Sequence, residues 1–228
     1  MLHHHSATHR RGARRAHALV ALAAATASFT FLSHGGAVGA EGVPGDPHSP
    51  AVASLASQTL IALSTAGFSG SGGGDNEVFR RLLLETAEAT AHEVGASPRE
   101  MQLEWLATDR SHQVALLTAL TQLGADYQSM SSDPDVGFDC SGLTSYAWRQ
   151  AGYDLSRQSG DQIAQASARD EATAMAGDLV QYPGHVMMYL GTDDAVVHAS
   201  NPENDVELYI MSPSRAESVR YGDPTVED

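Results

Sequence analysis

The chain is 228 residues long, 42% apolar, 18% charged and 6% aromatic, with 13 arginines, no lysine and 28 acids for a net charge of −15. That is enough for one medium domain with accessory segments, and the lack of a basic cluster excludes nucleic acid as a partner. No apolar run reaches the ~18–20 residues that cross a bilayer, so no stable membrane span is expected, and a lone cysteine, Cys140, excludes an internal disulfide and any multi-cysteine metal site.

The first 40 residues hold four of the arginines and no acid. Arg10 to Arg15 form a positive start, Ala18 to Leu32 an apolar stretch, and Ala37 to Ala40 a small-residue cleavage site. This is the pattern of a signal peptide over 1–40, and it implies a secreted protein. The remainder has nine arginines against 28 acids, a net −19. Residues 41–75 are rich in Gly, Ala, Ser and Pro and end in Ser69-Gly-Ser-Gly-Gly-Gly74, the composition of a flexible linker.

Helical spacing follows in Val78, Phe79, Leu82, Leu83 and Ala87, stopped at Gly95. Ser97-Pro-Arg-Glu100 is a capping box with proline at the first helical position, opening a helix that carries Met101, Trp105 and Leu106. Residues 76–108 thus read as a helical segment. A third stripe from Asp109 (Val114, Leu117, Leu120, Leu123) starts the main domain, 109–228. Cys140 to Ala151 reads as a helix stopped by Gly152, with a shorter helix around 161–166. Extended runs come last, at 178–182, 185–190, 195–199 and 206–211, parted by turn residues. Helices followed by an antiparallel sheet make an α+β fold.

Cys140 sits where a loop gives way to a helix, and the free N–H groups and dipole there favour a thiolate. The plain alternative is a small buried apolar residue. A single cysteine in an exported chain, at a helix start, points instead to a nucleophile. Such a thiol needs a base. Beyond residue 40 there are five histidines: His48 in the linker, His92 and His112 on helix faces among charged residues, and His185 and His198 on consecutive strands. A four-residue turn, Gly191 to Asp194, would place Met187 opposite His198. His185 and His198 then become diagonal neighbours on one face, ~7–8 Å apart or less.

Phe138-Asp-Cys-Ser-Gly-Leu143 at a helix start resembles the nucleophile motif of the NlpC family of bacterial cell-wall cysteine peptidases. The resemblance continues, in the family's order, through Leu155-Ser-Arg-Gln-Ser159, Gly177-Asp-Leu-Val180, Gly184-His-Val-Met-Met-Tyr-Leu-Gly191 and Val197-His-Ala-Ser200. It implies a papain-like α+β fold, with N-terminal helices and the nucleophile at a helix N-terminus packed on an antiparallel sheet. It also implies cleavage of peptidoglycan stem peptides beside γ-linked D-glutamate and before diaminopimelate, with no metal or cofactor. Position by position, Cys140 resembles the nucleophile, His185 the base and His198 the residue that orients it. Asp139 and Ser141 match substrate-holding positions, and Tyr127 matches the tyrosine upstream of the cysteine. The tryptophan and paired glycines that usually follow that tyrosine are replaced here by Gln128-Ser-Met-Ser-Ser-Asp-Pro134. Arg157 is either a partner for a substrate carboxylate or a solvated charge.

Three other readings share these residues. One is an amidase or acyltransferase with the same thiol chemistry, since such a triad does not fix the acyl group. Another is a non-catalytic wall-binding or adaptor protein. The third is a zinc site of Cys140, His185 and His198, for which no supporting carboxylate can be named. The segment 41–108 either folds over the Cys140 groove or is a passive spacer.

Overall fold

A computed structural model describes residues 45–66 and 73–225, so the expected signal peptide lies outside the described residues. Four helices come first: α1 (Pro50–Ala66), α2 (Gly73–Val94), α3 (Pro98–Ala107) and α4 (Arg110–Leu120). A small hairpin, β1 (Ser132–Asp133) and β2 (Gly137–Phe138), leads into α5 (Cys140–Gln150) and α6 (Ser159–Gln165). The rest is β3 (Ser167–Arg169), β4 (Leu179–Tyr182), β5 (His185–Tyr189), β6 (Ala195–Asn201), β7 (Asn204–Ile210), α7 (Pro213–Ala216) and β8 (Arg220–Asp223). Six strands form one antiparallel sheet in the order β3-β8-β4-β5-β6-β7. The fold is α+β, with Cys140 opening a helix that packs on the antiparallel sheet, as expected.

The helix starts follow local chemistry. Asp109 accepts from the Ser111 and His112 amides, and Asp139 from the Gly142 amide, satisfying donors that the first turn leaves free. Ser97 Oγ accepts from Glu100 N, but the return half of the capping box is replaced by a tertiary bond. Ser97 N donates to Asp193 Oδ2 at 2.8 Å, in the β5–β6 turn. Trp105 Nε1 reaches the same end of the sheet and donates to Leu190 O at 2.8 Å. Helix α3 is thereby tied to the hairpin that carries both strand histidines.

The stretch 41–75, expected to be a flexible linker, holds α1 instead. Ser49 Oγ accepts from Val52 N and Pro50 takes the first helical position, a start signal of the same kind as Ser97-Pro98. Val52, Ala56, Thr59 and Leu63 recur at helical spacing and are all buried. The Thr59 and Thr86 hydroxyls bond at 2.8 Å between α1 and α2. A face of small side chains lets two helices approach closely, so low bulk does not prevent burial.

The helical segment 76–108 packs into the same core as the main domain. Leu83, Ala87, Met101 and Trp105 belong to one buried core with Leu117, Leu120, Leu143, Trp148 and the sheet residues Val186, Met188 and Val197. Each large apolar side chain so buried contributes about 1.5–3 kcal/mol before entropy is counted. A smaller core of Val180, Met187, Tyr189, Val196 and Tyr221 forms separately from sheet residues. Edge strand β7 is covered by the chain itself, since Leu208 N donates to Pro47 O and Val206 N to Ala125 O.

Candidate active site

Strands β5 and β6 pair Met188 with Val197 and Tyr189 with Val196, and Leu190 N donates to Ala195 O at 2.8 Å. Continued by one residue, this register puts Met187 opposite His198, as the four-residue turn implies. His185 and His198 are then diagonal neighbours, and their rings meet: His185 Nε2 lies 2.8 Å from His198 Nδ1. Both rings are buried. Burial first, then the charges of His198 and Arg215, push the His185 pKa down to about 4. His185 is therefore neutral near pH 7 and offers a lone pair, and a thiolate brought against it would raise its proton affinity again. Beyond His198 lie the Tyr209 ring, with centroids 5.4 Å apart, and Glu207, with Oε1 3.5 Å from His198 Nε2. A cavity of about 250 Å³ opens here, lined by Tyr182, Met187, His198, Glu207, Tyr209 and Arg215 among others.

The second group stands at the start of α5. Cys140 is its first residue and is a half-buried free thiol. Asp139 caps the helix through Gly142 N at 2.8 Å and accepts from Met130 N at 2.7 Å. Arg157, an exposed side chain, is already paired with a carboxylate of its own chain. Its guanidinium bonds Asp139 Oδ2 and Ser141 Oγ, each at 2.7 Å, while Ser141 Oγ donates to Arg157 O at 2.8 Å. The loop before α5 is drawn tight, because a Cβ on Gly142 would collide with the Ser131 carbonyl oxygen. Tyr127 pairs with Phe138 in an isolated bridge. Burial first, then the charges of Asp139 and Cys140, raise its hydroxyl pKa against the opposing effect of Arg157. Tyr127 thus stands in the field of the same group.

Tyr127, Asp139, Cys140 and Ser141 are gathered around one helix start, and His185 and His198 in one bonded pair. Among the described residues Cys140 Sγ makes no hydrogen bond, to either histidine or to any other group. Catalytic contacts in unliganded sites are often long and tighten only with substrate.

Two residues escaped the sequence reading. Glu207 pairs with His198 across β6 and β7, a position the β6–β7 turn would have given. His112, placed by the sequence on a helix face among charged residues, is fully buried instead. Its Nε2 lies 3.0 Å from Asp178 Oδ1 and 3.4 Å from Asp223 Oδ1, and its Nδ1 2.5 Å from Asp109 Oδ2. His112, Asp178 and Asp223 are the one group among the described residues close enough to share a cation. Their oxygens are already engaged, Asp178 with Met175 N and Asp223 with Arg169 and Thr225. His112 and Arg169 already hold these acids, and the group reads as an ion-pair network rather than a metal site.

Residues 124–219 match the NlpC/P60 family. A probable endopeptidase of Corynebacterium glutamicum is 41% identical over 86 residues, which are 36% of this chain and 40% of that protein. The peptidoglycan endopeptidase RipB of Mycobacterium tuberculosis is 48% identical over 60 residues, 25% of each chain. The chain thus spans less than half the length of these relatives. Among solved structures, the P60 domain of a Mycobacterium avium subspecies paratuberculosis antigen is 26% identical with a TM-score of 0.44, over 51% of this chain and 96% of that one.

Proposed function

We propose that this chain, which belongs to the NlpC/P60 family through residues 124–219, hydrolyses amide bonds in peptidoglycan stem peptides by a cysteine mechanism. The observation that carries the reading is the His185–His198 bond, 2.8 Å long and buried, on the two strands beside the helix that Cys140 opens. His185 takes the thiol proton as Sγ attacks the carbonyl carbon, and returns a proton to the leaving amine. His198 holds the base in one orientation. Amides at the start of α5 face the developing oxyanion, each such donor contributing about 3 kcal/mol. Asp139 and Ser141, locked by Arg157, and Tyr127 border the substrate. The bond cut is the one between D-glutamate and diaminopimelate, and the enzyme reaches its substrate by export through residues 1–40.

The test is digestion of purified peptidoglycan and of soluble muropeptides, with mass analysis of the products. Fragments ending in D-glutamate, and none from the Cys140→Ala variant, are expected. Release of sugar–peptide amide products instead would favour an amidase. Intact substrate that co-sediments with the protein would leave a binding module.

A further inference from the structure

A hydrogen bond between two imidazole rings needs one ring to donate and the other to accept, and nothing within the pair decides which. The decision falls to the next neighbour. Glu207 sits directly opposite His198 in the β6–β7 register, so both side chains leave the same face of the sheet. Its Oε1 is 3.5 Å from His198 Nε2, a buried nitrogen that makes no hydrogen bond among the described residues and has this carboxylate as its facing acceptor. His198 and Ser200 also hold the Glu207 pKa below its ordinary value against the opposing effect of burial, with the proximity of His198 the largest cause. A carboxylate only accepts, so the nitrogen facing it must carry the proton.

We infer that Glu207 is a positioning residue: it keeps the proton of His198 on Nε2, so that His198 Nδ1 accepts from His185 Nε2–H and the lone pair of His185 is left on Nδ1 for the thiol. The order along the sheet is then Glu207, His198, His185, each ring fixed by the one before it. This inference rests on the hydrolase reading for its consequence, while the assignment of protons rests on the β6–β7 register and the Glu207–His198 contact. Without Glu207, His198 is free to carry its proton on Nδ1 and donate to His185 Nε2. That places the lone pair of His185 on the wrong nitrogen, and the base points its N–H at the thiol.

The test uses the full mature chain labelled with 15N-histidine, as wild type and as Glu207→Gln, whose side chain has the same size but can donate as well as accept. In the wild type the ring-nitrogen shifts of both histidines should show protonated Nε2 and unprotonated Nδ1. In Glu207→Gln, His198 should show a mixture, and kcat on muropeptides should fall at least about tenfold with KM within about twofold. Glu207→Asp, which can still accept, should recover part of that loss. A His198 proton that stays on Nε2 in Glu207→Gln overturns the inference, and so does an unchanged kcat where the tautomer does shift. Equal melting temperatures identify the effect as local. A wild type with the expected tautomers but no hydrolysis would overturn the hydrolase reading and leave the proton assignment standing.

Discussion

His112→Ala is the sharpest test of how the helices are joined to the sheet. The ring is fully buried between α4 and the sheet, with its edge on Trp148 at 4.9 Å. Three carboxylates surround it, and Arg169 is the other cation on Asp223. Burial alone would lower the His112 pKa, but the bond to Asp178 and the charges of Asp109, Asp178 and Asp223 outweigh it and raise the pKa. Removing the ring strands Asp178, which is wholly buried, without its cation. Losing one partner of a buried pair costs about 3–5 kcal/mol. In a chain of this size about 1 kcal/mol moves the melting temperature by about 2–4 °C, so a fall of roughly 6–20 °C is expected. The assay is thermal unfolding followed by circular dichroism at several pH values. A raised histidine pKa contributes stability that is fully present below the unfolded value, near 6.5, and is lost as pH rises through the folded value. The gap between wild type and variant should therefore be widest near pH 6 and narrow above it. A gap under about 1 kcal/mol, or one that grows with pH, would refute the charged network.

His185 works in the opposite sense. Its pKa near 4 means that the unfolded chain gains a proton first as pH falls from about 6.5, so the protein should lose up to about 3 kcal/mol between pH 6.5 and 4, and His185→Gln should abolish that part of the loss. Cys140→Ala should end hydrolysis with little change in melting temperature, and alkylation of the thiol should do the same to the wild type; turnover by the variant would sink the nucleophile assignment. His185→Ala should reach the activity floor of Cys140→Ala, whereas His198→Ala should retain measurable turnover, and the reverse order in steady-state assays would exchange the two roles. A chain beginning at Asp109 should melt lower and aggregate, because it uncovers the core that Trp105, Met101 and Leu83 share with the sheet. Faster muropeptide cleavage at an unchanged melting temperature would show instead that those helices only shield the groove.

What was legible in the sequence was local. The capped start of α5 announces itself in Asp139-Cys140-Ser141-Gly142, and the histidine register follows from a turn four residues long, because both depend on neighbours within a few positions. Strand β8 depends on distant ones. It pairs with β4 and β3, and at Gly222, opposite Leu179, a side chain would press on Ile163 and Ala166, so the glycine that looks like a turn residue is a crossing point for α6. Helix α1 failed for a different reason. Its start signal, Ser49-Pro50, was in plain view, but the stripe Val52, Ala56, Thr59, Leu63 is built from mostly small residues whose averaged composition resembles a linker. His112 shows the limit most clearly. Between Ser111 and Gln113 it looks like a solvated residue on a helix, whereas Asp178 and Asp223, from the far end of the chain, join Asp109 around its buried ring. Charge pairing across that separation leaves no periodicity behind, although it joins α4 to the sheet that carries His185 and His198. The two histidines were found because their partner was thirteen residues away, and the network that supports their sheet was missed because its partners were not.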